Sequence, residues 1–377
     1  MIYVDVSAAV HSRAGLGRYS ERLARSLHDA YPGQIALFHN QGAEGKLPET
    51  LTGIPRRSVR LGYKPWRSAV LIAHLLHLGL NRMLPDARLF HSTEHLLMPL
   101  RRVPTVLTVH DLIYKLYPQY HKRLNYWYLN LAMPLFCRRA RAIVAVSEAS
   151  KRDVVRHYDV RPDKIHVVYE AAAEHFTPPN AKDIARVRQK YDLPQQFLIH
   201  LSTIEPRKNL SRLIAALKQV QQTRPTLKLV LVGSKGWLYE DFFSRIRQEG
   251  LQKDVIALGW TPDADLPAVI SAAELAVQPS LYEGFGLPVL EHMACGQVVA
   301  ASDASSHPEI GGDAAAYFDP EDVRDMANVI ERLLNDDEER RERRHEGLQQ
   351  AAKFSWQRAA RETMGVYEHV LEIGQGT

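Results

Sequence analysis

Short apolar runs alternate with stretches of helical periodicity along the whole chain. The runs that we interpret as strands are residues 2–6, 34–39, 88–92, 104–111, 142–147 and 164–169 in the first half, and 196–201, 227–233, 255–260, 275–279 and 297–301 in the second. After the first strand, Leu23, Leu27 and Ala30 follow the three- and four-residue spacing of one helix face. Strands that alternate with helices predict an α/β fold with parallel sheets.

The alternation is interrupted near the middle of the chain. Residues 170–194 have mixed polarity and contain Pro178 and Pro179, so we place a domain linker there. A chain of 377 residues, 45% of them hydrophobic, can bury more than one core. The sequence predicts two doubly wound domains and a last helix, at residues 1–175, 176–355 and 356–377.

Three local expectations follow from the same pattern. Residues 40–65 are rich in Gly, Pro and Arg and are predicted to form a loop. Residues 66–82 and 121–140 are predicted to be helical, as is the charge-rich stretch 321–353.

Composition bears on the compartment and excludes some classes of function. The two cysteines, Cys137 and Cys295, lie far apart and suggest no disulfide framework, which fits a reducing cytoplasm. The chain starts with a predicted strand, so we expect no signal peptide, and its longest apolar run, 69–80, is too short to span a bilayer. A net charge of +5 is weak support for a nucleic-acid partner. His91 and His95 have no third ligand at suitable spacing, so no metal site is expected.

The basic residues are concentrated in the first half of the chain, among several aromatic residues. They are Arg56, Arg57, Arg60, Lys64, Arg67, Arg101, Arg102, Lys122, Arg123, Arg138, Arg139 and Arg141. Such a mixture fits peripheral binding to an anionic membrane surface at the inner face of the membrane. An ordinary solvated basic face is the equally weighted alternative.

Residues 280–291 combine a tight turn with two carboxylates. Gly286 lets the backbone turn sharply, and Pro288 suits the first turn of a helix. The N–H groups of a helix start attract anions, whereas the ionised carboxylates of Glu283 and Glu291 accept hydrogen bonds from hydroxyl groups. This combination suits a nucleotide sugar, and the plainer alternative is a turn with two solvated acids.

Two cations and a histidine follow other predicted strands. Arg207 and Lys208 precede a helix, where a guanidinium fork and an ammonium group can neutralise a diphosphate. His110 ends a buried strand, and ligands gather at the carboxyl ends of strands in open α/β sheets. The plainer alternatives are a solvated turn for the cations and a core histidine satisfied by Asp111.

A glycine segment lies between the first strand and the first helix. Residues 12–18 are predicted to be a loop in which Gly15 and Gly17 permit a close approach of the backbone to a ligand. A simple tight turn would also explain them.

Several of these segments occur in one order that is typical of a known family. GLGRY, TVHDLI, TIEPRKN and the spacing of Glu283 and Glu291 together resemble the retaining glycosyltransferases of family 4. That family has the GT-B fold, two Rossmann-like domains that face each other across a cleft. The resemblance implies that residues 1–175 bind the acceptor, that residues 176–355 bind the nucleotide sugar, and that the helix over 356–377 crosses back to the N-terminal domain. The resemblance covers nearly the whole chain and is densest over 200–312. One departure is Ser202, where the family usually carries glycine.

The resemblance implies a role for each candidate side chain. Glu291 would hold ribose hydroxyls and Glu283 would orient the sugar ring. Arg207 and Lys208 would stabilise the departing diphosphate in place of a metal ion, so neither metal nor cofactor is expected. His110 would contact the donor sugar.

Backbone positions complete the implied site. Residues 305–309 would shape its far wall, and Trp260 is interpreted as core packing. The backbone contacts are Gly15 and Gly17 near the diphosphate, Phe285, Gly286 and Leu287 at the sugar ring, and Gly259 at the start of the loop along which the base docks.

The implied function is retaining transfer of a hexose from a nucleoside-diphosphate sugar to a hydroxyl group of a glycan or lipid-linked acceptor. Mannose from GDP-mannose is the favoured donor, and a UDP-sugar of glucose or N-acetylglucosamine is the alternative. A nucleotide-sugar epimerase and a non-catalytic sugar-binding protein are further alternatives.

Overall fold

The computed structural model describes residues 1–42 and 45–375. The chain divides into two compact units, Met1–Glu170 with Ser355–Thr377, and Ala171–Phe354. Both are α/β units built on parallel sheets.

The described residues of the first unit contain a seven-stranded sheet. Its strands are β1 (Ile2–Asp5), β2 (Ile35–Asn40), β3 (Arg56–Val59), β4 (Leu89–Ser92), β5 (Thr105–Val109), β6 (Ala142–Ala145) and β7 (Ile165–Val167). They lie in the order β3-β2-β1-β4-β5-β6-β7. The chain passes from β1 to β2 on one side and later places β4 on the other, so the strand order reverses between β1 and β4.

Helices surround this sheet. They are α1 (Ser7–Val10), α2 (Ala14–Ala30), α3 (Tyr63–Leu75), α4 (Ile113–Leu116), α5 (Arg123–Arg139), α6 (Glu148–Tyr158) and α15 (Trp356–Gln375). α15, which ends the chain, packs against α2 and β6 of this unit. The buried Tyr367 of α15 is hydrogen-bonded through its hydroxyl group to Nδ1 of His91 at 2.6 Å.

The second unit repeats the topology. Its strands are β8 (Phe197–Leu201), β9 (Lys228–Val232), β10 (Val255–Gly259), β11 (Leu275–Gln278), β12 (Val299–Ser302) and β13 (Ala316–Phe318). They lie in the order β10-β9-β8-β11-β12-β13, so the reversal falls between β8 and β11. Both faces of the sheet are buried: Leu198 belongs to the core on one face, and Phe197 and Ile199 belong to the core on the other.

The helices of the second unit follow its strands. They are α7 (Ala181–Lys190), α8 (Leu210–Val220), α9 (Glu240–Gln248), α10 (Leu266–Ser271), α11 (Leu287–Ala294), α12 (His307–Gly311), α13 (Val323–Asn335) and α14 (Asp337–Ala351). The helical stretch predicted at 321–353 is two helices, because the side chain of Asp336 accepts a hydrogen bond from Glu339 N at 2.8 Å and starts a new one.

One sequence expectation about local structure was wrong, and a second segment contains a helix that the sequence did not predict. The predicted loop over 40–65 contains β3, an edge strand with three exposed residues, whose arginines hide the apolar pattern on which the prediction depended. The predicted linker contains α7, whose polar surface leaves Val187 as its buried residue. Both elements bury too few apolar residues to show a hydrophobic periodicity in the sequence.

Candidate functional site

A buried ion cluster lies at the strand reversal of the second unit. Arg207 and Lys208 follow β8 in a short 3₁₀ turn, and Glu283 follows β11. Lys208 Nζ lies 2.6 Å from Glu283 Oε1, and Arg207 Nη1 lies 2.8 Å from Glu283 Oε2. Arg207 Nη2 also contacts the carboxylate of Glu205 at 2.5 Å. Four charges therefore meet where ligands bind in open α/β sheets.

Backbone geometry holds the two loops of this cluster together. Asn209 adopts a left-handed conformation with φ of 58°, and its amide Nδ2 donates to the carbonyl oxygen atoms of Pro279 and Pro320 at 3.0 and 2.7 Å. Leu281 N donates to Arg207 O at 2.9 Å. The cations are thus fixed against the loop that carries Glu283, which lowers the entropy cost of holding their side chains.

The cluster shifts the ionisation of its members. Burial alone would raise the pKa of Glu283, but the adjacent Arg207 and Lys208 outweigh it and hold this pKa well below the usual range of a carboxyl group. Burial and the nearby Arg207 lower the pKa of Lys208, against the opposing effect of Glu283. The carboxylate of Glu283 is therefore ionised across the physiological pH range.

The turn after Glu283 requires glycine. Gly286 has φ of 97° and begins α11, and a Cβ there would lie 3.0 Å from Cδ2 of His307. Glu283 N donates to Ser305 Oγ at 2.8 Å, and Ser306 Oγ donates to Glu283 O at 3.1 Å. The 305–307 segment thus lies against this turn.

The other predicted site residues of the second unit lie just before or within α11 and at the end of β10. Glu291 is buried within α11, Phe285 is buried before it, and Leu287 is its first residue, half-buried. Gly259 ends β10 with φ of 74°. Trp260, which was expected to be core packing, is instead 72% exposed. It follows Gly259, whose backbone is left-handed.

Ser202 occupies the position at which the resemblance leads one to expect glycine. Its Oγ lies 2.6 Å from Nε2 of the buried His200, and Nδ1 of that ring lies 2.9 Å from the carbonyl oxygen of Val277. The hydroxyl group is therefore accommodated by a hydrogen bond within the unit.

His110 is buried at the end of β5 in the first unit. Its Nε2 lies 2.9 Å from Thr93 O, and its Nδ1 lies 3.2 Å from Glu170 Oε1. Burial alone would lower the pKa of His110, but the bond to Glu170 raises it. Two acceptors favour the imidazolium form, which donates from both nitrogens. Asp111, which the plainer alternative paired with this ring, instead accepts a hydrogen bond from Ile113 N.

The glycine segment of the first unit is helical. Gly15 and Gly17 lie in the first turn of α2, so the predicted loop over 12–18 was wrong for most of its length. A Cβ at Gly17 would lie 3.1 Å from Ala8 O of α1, whereas a Cβ at Gly15 would meet no atom of the described residues within 4 Å. Gly17 permits close packing of two helices, and the structure gives no packing reason for Gly15.

The sequence interpretation missed a second polar group at the strand ends of the first unit. Asp5 ends β1, Glu94 follows β4, and both are buried. Arg13, before α2, pairs with Glu94. The rule that singled out His110, a polar residue at the carboxyl end of a buried strand, would also have identified Asp5.

The predicted side chains thus fall into two groups. The second unit brings together Arg207, Lys208 and Glu283 with the turn at Gly286. The first unit contains His110, which directly follows β5, and Gly15 and Gly17, which lie in α2. Among residues 1–42 and 45–375, no group of three or more His, Cys, Asp or Glu side chains is arranged to hold a metal ion. Within the same residues, no helix combines the length and apolar character needed to cross a bilayer.

Two parallel-sheet units whose strand order reverses in the same way, each with charged groups at its reversal, define a GT-B class of fold, and sequence comparisons agree with it. The chain matches the family Glycosyltransferase Family 4 over residues 13–172 and Glycosyl transferases group 1 over residues 182–350. It is 31% identical to the O-antigen chain mannosyltransferase B of Escherichia coli over 369 residues, which is 94% of this chain and 96% of that protein. The chain therefore belongs to the family 4 glycosyltransferases with the GT-B fold.

More distant relatives and solved structures are consistent with this assignment. The MMP alpha-(1->4)-mannosyltransferase of Mycolicibacterium hassiacum is 31% identical over 62% of this chain and 55% of that protein. The sucrose-phosphate synthase of Thermosynechococcus elongatus has the same fold, with a TM-score of 0.79 and 19% identity, over 99% of each chain. The Anabaena protein HepE, solved with UDP and glucose, has a TM-score of 0.75 and 20% identity, over 97% of this chain and 99% of that one.

Proposed function

We propose that this enzyme transfers mannose from GDP-mannose to a hydroxyl group of a glycan or lipid-linked acceptor, with retention of the anomeric configuration and without a metal ion. The observation that carries the choice of sugar is the 31% identity to a mannosyltransferase over nearly the full length of both proteins. The choice of GDP as the nucleotide and the retention of the anomeric configuration rest on the family resemblance.

The ion cluster of the second unit supports a diphosphate site. A lysine ammonium group has three donors, so the bond of Lys208 to Glu283 leaves it able to donate to a phosphate oxygen as well. Arg207 is held beside it by Glu283 and Glu205. Preorganised cations of this kind stabilise the charge that develops on a leaving diphosphate, which is the task a metal ion would otherwise perform.

The remaining roles follow the same arrangement. The carboxylate oxygens of Glu283 form ion pairs with Lys208 and Arg207, so Glu283 orients these cations together with the sugar ring. Glu291 holds ribose hydroxyls, and the backbone of residues 285–287 lines the sugar. His110 is oriented by its hydrogen bonds to Thr93 O and Glu170, and it contacts the sugar only if one of these two bonds is exchanged.

A donor screen followed by an acceptor assay tests this function. GDP-mannose should raise the melting temperature more than UDP-glucose or UDP-N-acetylglucosamine, since a ligand that binds the native state stabilises it. Adding a mannosylated acceptor should then accelerate GDP release in the presence of EDTA, with an α-linked product by NMR. If only a UDP-sugar raised the melting temperature, that UDP-sugar would take the place of GDP-mannose as the proposed donor. Acceptor-independent conversion of the sugar would indicate an epimerase, and absence of any turnover a binding protein.

We also propose that the enzyme acts in the cytoplasm at the inner face of the membrane, bound through the first unit. Residues 56–141 contain fifteen Lys and Arg and three Asp and Glu, whereas the whole chain has a net charge of +5. On α5, Leu124, Trp127 and Leu131 form one stripe and are 87%, 69% and 56% exposed. α3 packs beside α5, where Arg67 Nη1 donates to Asn125 Oδ1 at 3.0 Å.

The end of α3 and the residues after it extend the apolar surface. Ile72, Leu75, Leu76 and Leu78 are each more than half exposed. Exposed apolar side chains surrounded by basic residues match an anionic bilayer, in which apolar groups enter the acyl boundary and cations pair with phosphates.

Vesicle sedimentation tests the membrane proposal. The protein should sediment with vesicles that contain about one third phosphatidylglycerol, and much less with phosphatidylcholine alone or at high salt. Trp127→Gln should weaken the sedimentation severalfold. Trp260→Gln, at an equally exposed tryptophan of the second unit, is the matched control and should leave it unchanged. Equal loss in both variants, or none, would contradict the proposed surface.

A further inference from the structure

A buried serine, Ser280, contacts the ion cluster of the second unit. It lies between the end of β11 at Gln278 and Glu283, and it is 1% exposed. Its Oγ donates a hydrogen bond of 2.7 Å to Oε1 of Glu283. The hydroxyl group therefore restrains this carboxylate without adding a charge to the site.

The carboxylate of Glu283 is held by two charged donors and by this neutral one. Oε1 lies 2.6 Å from Lys208 Nζ and also accepts the hydrogen bond of Ser280, whereas Oε2 lies 2.8 Å from Arg207 Nη1. Hydrogen bonds to a charged acceptor are stronger than those between neutral groups, so each of the three contacts restrains the carboxylate. The three contacts differ in how they respond to a bound diphosphate.

A diphosphate competes with Glu283 for the two cations. Phosphate oxygens attract ammonium and guanidinium groups as a carboxylate does, so a diphosphate shared by Lys208 and Arg207 weakens their hold on Glu283. The hydroxyl group of Ser280 is buried, and its single hydrogen is already donated to Oε1. Its contact is therefore the one of the three that a bound diphosphate leaves in place.

The backbone of Ser280 is itself fixed by the neighbouring strand. Ser302 ends β12, and its Oγ donates to Ser280 O at 2.7 Å. Because a hydroxyl group has one hydrogen, Nδ1 of His307, which lies 2.8 Å from Ser302 Oγ, is the donor of that second contact. Burial lowers the pKa of His307 to about 4, so the ring stays neutral at physiological pH. Ser280 therefore has a position that does not depend on the cations.

We propose that Ser280 is a positioning residue of the glycosyl transfer, whose hydroxyl group keeps the carboxylate of Glu283 directed at the sugar ring while Lys208 and Arg207 bind the diphosphate. This inference rests on the proposed function, which gives Glu283 and the two cations their ligands. It adds the side chain that keeps the orientation of the sugar independent of the binding of the diphosphate.

A purely structural role in the turn is the competing explanation. The backbone of this turn is also held by other contacts, since Glu283 N donates to Ser305 Oγ and Ser306 Oγ donates to Glu283 O. If Ser280 only supported the turn, its loss would lower the melting temperature and weaken the binding of GDP as well as turnover. If it positions Glu283, turnover falls while the affinity for GDP is kept, because GDP has no sugar ring for Glu283 to orient.

Kinetics and GDP binding of Ser280→Ala test the proposal on the full chain. With GDP-mannose and a mannosylated acceptor, its turnover number should fall about tenfold, since a hydrogen bond to a charged group is lost. The dissociation constant of GDP, measured by calorimetry, should change by less than about twofold, because no contact to the diphosphate is removed. Ser280→Cys keeps a weaker donor in a similar volume and should recover part of the turnover. Melting temperatures show whether each variant folds.

The matched control is Ser271→Ala in α10, where a half-buried hydroxyl group donates to Cys295 O at 3.0 Å. This variant should turn over as the unmodified protein does. The proposal is overturned if Ser280→Ala turns over normally, if its affinity for GDP falls by the same factor as its turnover number, or if Ser280→Cys folds and is no faster than Ser280→Ala. If the unmodified protein turns over no nucleotide sugar, the proposed function is rejected and this role with it, whereas normal turnover of Ser280→Ala rejects the role alone.

Discussion

The two units have the same strand order, but the charged groups at their strand reversals differ. In the second unit, two cations face Glu283, and its pKa is held low. In the first unit, the pKa of Asp5 is raised by burial and by the nearby Glu94, while Glu94 pairs with Arg13. The same backbone geometry therefore supports one site rich in paired cations and one rich in carboxylates.

This difference shows how one backbone arrangement can carry two unlike sets of charges. Preorganised cations stabilise the negative charge of a diphosphate without a reorganisation energy, whereas a neutral sugar needs hydrogen-bond acceptors for its hydroxyl groups. The fold supplies the position of each site, and the side chains at the strand ends supply its chemistry.

The largest expected effect is at the cationic site. Arg207→Ala should lower the turnover number about 10²–10³-fold, because one preorganised charge contributes about 3–4 kcal/mol to the transition state. Donor affinity should fall much less. Steady-state GDP release against donor concentration measures both quantities.

The control for Arg207 is Arg245→Ala, at a half-exposed arginine on α9. This variant should turn over normally. Near-normal turnover of Arg207→Ala would remove the guanidinium group from the mechanism and with it the contrast between the two units.

A smaller effect is expected at the turn of the second unit. Gly286→Ala places a side chain at φ of 97° and 3.0 Å from His307. The free energy of unfolding should fall by about 1–3 kcal/mol, since a left-handed backbone and a close contact are both unfavourable for alanine. Urea denaturation measures it. Gly365→Ala in α15, with open space around it, should instead be neutral or stabilising.

The sequence predicted the fold well because the strands are buried. β8 and β9 each have four apolar residues out of five, and a pattern of that kind can be read without tertiary information. β3 was missed because an exposed edge strand has no such pattern. Tertiary neighbours, which a single sequence does not show, decide the pairing of edge strands.

The site was predicted only in part. Arg207, Lys208 and Glu283 were each identified, but not their mutual ion pairs, because Arg207 and Glu283 are separated by 75 residues and meet only when β8 and β11 pair. Glu94 was overlooked because a lone acid after a short strand has no local signature. Its significance depends on burial, which only the packed structure reveals.

A pH-dependent effect is expected at the carboxylate site. The pKa of Asp5 is about 7 in the folded chain and 3.8 in the reference state, so its contribution to stability is present below pH 3.8 and is lost as the pH rises through 7. Asp5→Asn, which stays neutral, should therefore gain stability relative to the unmodified protein as the pH rises from 4 to 8.

Melting temperature as a function of pH measures this difference. Asp29→Asn, at an exposed carboxylate of α2, should show no such trend. A constant offset between Asp5→Asn and the unmodified protein from pH 4 to pH 8 would show that Asp5 is not the titrating group, and the electrostatic contrast with Glu283 would then be weaker than the structure indicates.

The smallest expected effect concerns the two glycines at the start of α2, which separate a ligand role from a packing role. A Cβ at Gly15 meets nothing within 4 Å in the described structure, so Gly15→Ala should stabilise the helix by roughly 0.5–1 kcal/mol. A Cβ at Gly17 would lie 3.1 Å from Ala8 O, so Gly17→Ala should destabilise the helix.

If Gly15 instead serves a donor diphosphate by leaving room for it, Gly15→Ala will still raise the melting temperature of the free protein but will weaken the stabilisation by GDP-mannose. Normal stabilisation by GDP-mannose in Gly15→Ala would remove Gly15 from the anion site, because a diphosphate held against this backbone would meet the added methyl group.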